Sequence, residues 1–331
     1  MAANLLRPLS SHRSILPLPT VTIEFTIGDC LSVLRGMTSD SVDCCVTSPP
    51  YYFTRDYGDA QQIGLEDSPV EFLENLVVVF REVRRVLKPE GTLWLNIGDN
   101  YCTRRAIRAD GKRTTARGGK QRSWADSARA GRTITGAQFR DLLIKEKDLF
   151  LLPHDLAQAL RSDGWYVRGI FHWIKNVIVP ERKRDAPCDA VEYIFLLSKK
   201  DTGYIYHNEV LEEAGTDGQG RPHRNVWEIA PSIYRSEHTA VMPDELAERC
   251  ILTGSNASGL VLDPFGGVGT TATVAARYGR NCHSIDLNSD YTRQALQRVK
   301  QANRYAICRV SRGDTNTDLA LDEIELSSVQ A

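Results

Sequence analysis

The chain has 331 residues, 42% of them hydrophobic and 25% charged, with a formal net charge of -1 at pH 7. That much apolar material builds a sizeable core and excludes a globally disordered chain, and the length suits one large α/β domain with insertions. The near-neutral balance excludes a polycation, so any affinity for nucleic acid has to come from local clusters of Lys and Arg.

Residues 1–20, "MAANLLRPLSSHRSILPLPT", are broken by prolines and read as an N-terminal extension. They contain neither a signal-peptide core nor a membrane span, so a cytoplasmic protein with no membrane partner is expected. The eight cysteines are scattered without zinc-ligand spacing, the one close pair being Cys44-Cys45. They read as buried, reduced thiols.

A catalytic domain is expected over residues 21–312. It opens with "TVTIEFTIGDC", an alternating strand that ends at Gly28-Asp29 and runs into a loop. "DSVDCCVTSPP" is a second strand, stopped by Pro49-Pro50, because a proline has no N–H and a fixed φ. "SPVEFLENLVVVFREVRRVLKPEG" has a Ser-Pro start, Glu71 in its first turn, helical apolar spacing and a Lys-Pro-Glu-Gly stop. "TLWLNIGDN" is the next strand, which establishes a βαβ rhythm and a parallel sheet.

That rhythm breaks in a basic insertion, residues 103–147. Between Thr103 and Arg140 there are eleven Lys or Arg against two Asp or Glu, with five glycines. Arg104, Arg105, Arg108, Lys112, Arg113, Arg117, Lys120 and Arg122 are the candidate phosphate contacts. Regularity returns with the helix "LPHDLAQALRSDGW" and the strands "YVRGIFHWIKN" and "DAVEYIFLLSKK". Residues 201–238 are turn-rich, and "GTDGQGRPHRN" offers donors suited to base edges. The helix "MPDELAERCILTGS" follows, then the strand, glycine loop and helix of "GLVLDPFGGVGTTATVAARYG". The strand "RNCHSIDLN" leads into the helix "SDYTRQALQRVKQAN", capped by Ser289 or Asp290. Residues 313–331 are acidic, without a basic residue, and read as a frayed tail.

Two of these segments carry chemistry. In "LVLDPFGGVGTT" the strand ends at Asp263, and Gly266, Gly267 and Gly269 let backbone approach a ligand before a helix starts near Thr270. Asp286 ends the following strand, where it can accept hydrogen bonds from ribose hydroxyls. The loop lacks both the G-x-G-x-x-G of a dinucleotide site and the Gly-Lys-Ser/Thr of a P-loop. Its Asp-Pro-Phe start puts an acid where a phosphate binder would avoid one. This suits a positively charged ligand such as S-adenosyl-L-methionine, so residues 240–303 are the expected cofactor-binding part.

The second segment is "TSPPYY". Together with "DPFGGVGTT" it resembles the amino-methyltransferases of DNA, which methylate N4 of cytosine or N6 of adenine. Ser-Pro-Pro-Tyr comes first and the glycine loop last, as in the circularly permuted β group of bacterial and phage modification methylases. The resemblance extends from Ile23 to Lys300 through "GWYVRGIFHWIKN", "VEYIFLLSK", "RNVWEI" and "HTAVMPDEL". It implies a doubly wound, mostly parallel α/β sheet of the methyltransferase (Rossmann-like) type.

The resemblance also assigns roles. Ser48 and the carbonyl of Pro49 would accept the two N–H groups of the target amine, so that its lone pair points at the methyl sulfonium. Pro50 would stiffen the turn, and Tyr51 would offer a ring to a base flipped out of the duplex. Asp29 matches the acidic position near the cofactor's adenine. Pro264, Phe265 and Gly267 would lie along the cofactor, Asp263 near its methionine part, and Thr270-Thr271 near its carboxylate at a helix N-terminus. Tyr52, Phe53 and Asp56 are further pocket candidates, with packing as the competing role for Phe53, and His238 falls in a family-like block. The β group commonly carries its target-recognition region where residues 201–238 lie.

The implied partner is double-stranded DNA. A cognate restriction endonuclease and a second copy of the chain are partners that the sequence leaves open. Ser at the first motif position is more typical of N4-cytosine enzymes and Asp of N6-adenine enzymes, which favours cytosine. A methyltransferase of RNA or protein is disfavoured by the permuted order, and an inactive DNA-binding protein by the intact motifs. Pro187-Cys188 lacks the partner motif of a cytosine-C5 nucleophile. His172, His207 and His238 have no metal-ligand spacing, so no metal is expected.

Overall fold

Alternating burial along "TIEFTI" forms strand β1 (Thr22–Ile27). In the computed structural model the described residues are 20–54, 59, 61–66, 68–102, 144–145, 147–177, 185–211, 213–214, 220–221, 224–232, 241–313 and 317–318. The basic stretch with its eight candidate cations, Asp56, His238 and most of the acidic tail lie outside them.

After β1 the sequence suggests only a loop, but the chain turns into helix α1 (Cys30–Gly36). Its N-cap is Asp29, whose Oδ1 accepts from the Ser32 backbone N at 2.8 Å and satisfies one orphan donor of the first turn. Strand β2 (Val42–Thr47) is buried along its whole length, as a central parallel strand must be. Helix α2 (Pro69–Val86) starts as its sequence predicts, with Ser68 accepting from the Glu71 backbone N at 3.1 Å.

The end of α2 departs from expectation. The chain passes directly into strand β3 (Leu87–Ile97), so Lys88-Pro89-Glu90-Gly91 belong to the strand rather than to a turn. The β2–β3 ladder jumps from Val42–Leu87 to Cys44–Thr92. Pro89, with no N–H to donate, sits in that irregularity.

Helix α3 (Leu152–Ser162) and strands β4 (Tyr166–Lys175) and β5 (Val191–Ser198) follow. Strands β6 (Glu213–Ala214) and β7 (Gly220–Arg221) form a separate ribbon, and β8 (Val226–Ile229) joins the main sheet beside β4. The chain continues through α4 (Asp244–Gly254), β9 (Leu260–Asp263), α5 (Thr270–Arg277), β10 (Asn281–Asp286) and α6 (Ser289–Ala302). The cap of α6 is Asn288, one residue before the predicted position; its Oδ1 accepts from Asp290 N at 2.8 Å and Tyr291 N at 3.3 Å. Two unanticipated strands close the described chain. They are β11 (Ile307–Arg312) and β12 (Thr317–Asp318), the latter inside the segment read as a frayed tail.

Among the described residues the main sheet has ten strands in the order β12-β11-β1-β10-β9-β2-β3-β5-β4-β8. Pairing is parallel from β11 through β3, while β5 runs antiparallel to both β3 and β4. Helices α1 to α3 bury Leu34, Phe72, Phe80 and Leu156 on one face, and α4 to α6 bury Leu246, Ile251, Val274 and Leu296 on the other. Neighbours in β2 divide between the two cores, Cys45 to the first and Cys44 and Val46 to the second. This is a doubly wound α/β domain. Among the described residues no helix is long and apolar enough to cross a membrane.

The order of strands decides where a ligand can go. The chain leaves β2 for one side of the sheet, through α2 to β3, and leaves β9 for the other, through α5 to β10. Strands β2 and β9 are neighbours, so the crevice of an open α/β sheet lies above their carboxyl ends.

Candidate active site

Both motifs singled out in the sequence sit at that crevice. Ser48-Pro49-Pro50-Tyr51 follows β2, and Pro264-Phe265-Gly266-Gly267 follows β9. The two strand ends are tied together where they stop: Thr47 Oγ1 donates to Asp263 Oδ1 at 2.6 Å, and Thr271 Oγ1 donates to the Val46 carbonyl at 3.2 Å.

Above them lies a cavity of about 310 Å³, within the range of small-molecule sites. Its lining includes Gly28, Asp29, Pro264, Phe265, Gly267 and Asp286, with Asn288 and Tyr291. Ser48, Pro50, Gln61 and Gln62 line it as well. The described lining includes the carboxylates of Asp29, Asp59 and Asp286 and no Lys or Arg.

The glycine loop is built from backbone. Gly267 N donates to Asp286 Oδ2 at 2.8 Å, and Gly266 N donates to the Ile285 carbonyl at 2.8 Å. Gly267 has φ +51° with nothing within 4 Å of where a Cβ would stand, so it is required for its backbone conformation. Gly269 has φ +76°, and a Cβ there would stand 2.4 Å from the Ala295 Cβ, so it also lets α6 approach. Arg298 fastens the far side of the loop, donating from Nη1 to the Val268 carbonyl at 2.9 Å and to Thr270 Oγ1 at 3.1 Å.

Asp286 lines the cavity, and its second oxygen accepts from Asn288 N at 2.8 Å. Burial raises its pKa from 3.8 to about 6, against the pull of the two amide donors. Asp263 is placed differently: it is 3% exposed, turned toward Thr47 and the Phe265 amide, and does not line the cavity. Its carboxyl is raised by burial and opposed by those hydrogen bonds. Thr270 and Thr271 are buried beneath the loop in the same way.

Among the target-side candidates, Ser48 and Pro50 line the cavity, whereas Pro49 and Tyr51 are not among its lining residues. The Tyr51 hydroxyl donates to Glu192 Oε2 at 2.6 Å. Tyr52 and Phe53 are core residues at 1% and 4% exposure, in an aromatic cluster with Phe72 and Phe150. The expected pocket role of Tyr52 is therefore replaced by packing. Cys188 is exposed and Cys308 half-buried, so the buried-thiol expectation holds for the other six cysteines only.

The sequence reading missed Cys30, Gln61, Gln62, Ile63, Asn288, Ser289 and Tyr291 as cavity residues. Tyr291 had a usable signal: it lies five residues past Asp286, in the first turn of α6. Gln61 to Ile63 had none, since they come near the site only through the course of an irregular loop.

A family model for DNA methylases, the N6/N4 group, matches residues 42–297. The chain belongs to the DNA methylase family. The methylase is 41% identical to the type II methyltransferase M.SmaI of Serratia marcescens over 278 residues, 83% of this chain and 90% of that one. It is also 41% identical to the type II methyltransferase M.Cfr9I of Citrobacter freundii over 274 residues, 82% of this chain and 86% of that one. Among solved structures it is similar to a putative DNA modification methylase of Thermus thermophilus, complexed with S-adenosyl-L-methionine. That likeness has a TM-score of 0.61 and 26% identity, covering 88% of this chain and 99% of the other.

Proposed function

We propose that this methylase transfers a methyl group from S-adenosyl-L-methionine to the exocyclic N4 amino group of cytosine in duplex DNA, as the modification half of a restriction–modification pair. The observation that carries the reading is the meeting of Ser48 and the glycine loop in one cavity whose described lining is acidic and free of basic groups. The cofactor carries a sulfonium and an ammonium group. A cavity lined by Asp29, Asp286 and Phe265 fits that charge and an adenine. When bound, the cofactor supplies an electrophilic methyl group.

The chain's own residues act on the amine. Its lone pair is delocalised into the base, so it is a weak nucleophile until acceptors on its N–H groups localise the pair. Ser48, which lines the cavity with Asp286, supplies one such acceptor through its Oγ, and the resemblance assigns the second to the Pro49 carbonyl. With its N–H groups held by these acceptors, the amine would present its lone pair to that methyl group, and the proton it loses after transfer would pass to solvent. The base reaches the cavity by leaving the duplex. Phosphate contacts are assigned to the basic residues between Arg104 and Arg122, which would make affinity fall steeply with salt.

The choice of cytosine rests on the Ser of Thr47-Ser48-Pro49-Pro50-Tyr51. The test is to methylate duplex DNA with labelled cofactor, digest it to nucleosides and identify the product by mass spectrometry. N4-methylcytosine is expected. N6-methyladenine alone would overturn the base assignment, and no transfer at all would overturn the activity.

A further inference from the structure

Behind Ser48 and Tyr51 stands a hydrogen-bonded chain that the transfer mechanism above does not use. Ser48 Oγ lies 3.4 Å from the Tyr51 hydroxyl and is its donor. Tyr51 in turn donates to Glu192 Oε2 at 2.6 Å. The same oxygen accepts from Asn96 Nδ2 at 3.2 Å, and the other, Oε1, pairs with Lys175 Nζ at 2.6 Å. Glu192 and Lys175 come from neighbouring antiparallel strands, β5 and β4, and their side chains are only 14% and 24% exposed. Lys175 also lies over the Trp173 ring, 5.4 Å from its centroid.

The ring of Tyr51 is confined from behind. A Cβ at Gly98 would stand 2.9 Å from Tyr51 Cε2 and 3.3 Å from Glu192 Cγ, so the backbone there packs directly on both side chains. The Tyr51 hydroxyl also accepts from the Gly98 backbone. Burial and the neighbouring carboxylate push the phenol well above its ordinary pKa, which keeps the proton on the oxygen.

The direction of this chain matters. A carboxylate can only accept, so the Tyr51 O–H must donate its hydrogen bond to Glu192. The phenolic oxygen then has only lone pairs to offer Ser48, which turns the Ser48 O–H toward Tyr51. The lone pairs of Ser48 are left for the incoming base, and an acceptor is what an amino group with two N–H donors needs. At 3.4 Å the Ser48–Tyr51 contact is long for a hydroxyl pair, and such contacts commonly tighten when substrate seats. An ion pair this shielded costs desolvation that apolar side chains would avoid, so its presence beside the site calls for a role other than stability.

We propose that Glu192, ion-paired with Lys175, is a positioning residue that fixes the polarity of the Tyr51–Ser48 chain so that Ser48 presents lone pairs to the target amine. This inference rests on the reading of Ser48 as the amine acceptor. The variants that test it are Glu192→Gln, Tyr51→Phe and their double, with Ser48→Ala as reference. Each is assayed for kcat, KM for duplex DNA and Kd for S-adenosyl-L-methionine. Tyr51→Phe keeps the ring and removes only the hydroxyl.

Each single variant is expected to lower kcat by about 10- to 100-fold, with cofactor Kd within about twofold of wild type. The double should be no slower than the worse single, because both changes break one chain. Wild-type kcat in Glu192→Gln, or a double whose loss is the product of the single losses, would overturn the proposal. If Glu192→Gln does not fold, Tyr51→Phe decides alone, and full kcat there is the overturning result. A fully active Ser48→Ala would instead sink the underlying reading of the site. An inactive Ser48→Ala beside a fully active Glu192→Gln would sink this inference only.

Discussion

The two loops that meet at the carboxyl edge of β2 and β9 are built by opposite means. The Ser48–Tyr51 turn is stiffened by two consecutive prolines, and its last residue is anchored by side chains, through Tyr51 to Glu192 and on to Lys175. The Asp263–Thr271 loop uses glycines, and is held by backbone N–H groups on Asp286 and Ile285 and by Arg298 from behind. The first must fix acceptors around one small amino group, so it gives up backbone freedom. The second must pass backbone close to a ligand and beneath a helix, so it gives up side chains. Substitutions should therefore do different damage in the two places: lost rate in the first, lost fold or cofactor affinity in the second.

The largest stability effect should fall on the glycine loop, and it should be uneven. Gly269→Ala combines a left-handed backbone with overlap on Ala295 and should cost about 3 kcal/mol in thermal or denaturant unfolding. Gly267→Ala meets open space and should cost about 1 kcal/mol, from backbone strain alone. Equal costs would mean that α6 does not press on the loop. Next, Asp286→Ala should weaken cofactor binding by about 10- to 100-fold in calorimetric titration, since a hydrogen bond to a charged group is worth roughly 1.5–3 kcal/mol. The same change should leave the chemical step on saturated enzyme largely intact.

The pH dependence follows from the same carboxylate. Its folded pKa, about 6, lies above its ordinary 3.8, so its own contribution to folding is fully present below pH 3.8 and is lost as pH rises through about 6. Cofactor binding runs the other way, because the ionised form accepts from ribose hydroxyls and attracts the cationic ligand. Affinity should level off above pH about 6 and fall by up to about tenfold per unit below it. Asp286→Asn should flatten that profile, and an unchanged profile would remove Asp286 from the cofactor site. A stability effect smaller than that of Gly269→Ala belongs to the tie between the strands. Thr47→Val should cost about 1–2 kcal/mol of stability by leaving the buried Asp263 short of a donor.

Much of this architecture was legible in the sequence because local signals and global fold agree. The Ser68-Pro69 start of α2, the alternation in β1 and the strand–glycine–helix run at β9 each carry their own punctuation. Where expectation failed, local signal was weak or tertiary structure overrode it. Asp29 reads as the end of a strand, and its second role as the cap of α1 becomes visible only when Ser32 folds back onto it. Lys88-Pro89-Glu90-Gly91 has the composition of a turn, yet pairing with β2 on either side draws it into β3. Strand β11 exists because β1 offers it a parallel edge, six pairs long.

The site divides in the same way. Ser48, Asp29, Phe265, Gly267 and Asp286 announced themselves by motif and do line one cavity. Asp263, Thr270 and Thr271 carry the same motif signal but serve the scaffold beneath it. A motif marks a segment, and only the direction of each side chain separates wall from foundation. Glu192 shows the converse, since it comes from a strand remote in sequence and reaches the site through Tyr51.

The claim that the two loops form one methyl-transfer site, with Ser48 on the target side only, is tested most directly by a single variant and two readouts. Ser48→Ala is titrated with S-adenosyl-L-methionine and then assayed for single-turnover transfer to duplex DNA. Cofactor affinity should stay within about twofold of wild type while the transfer rate falls by about 10²–10³, the loss typical of removing one oriented polar contact at a reacting centre. A variant that transfers methyl groups as fast as wild type would contradict the account.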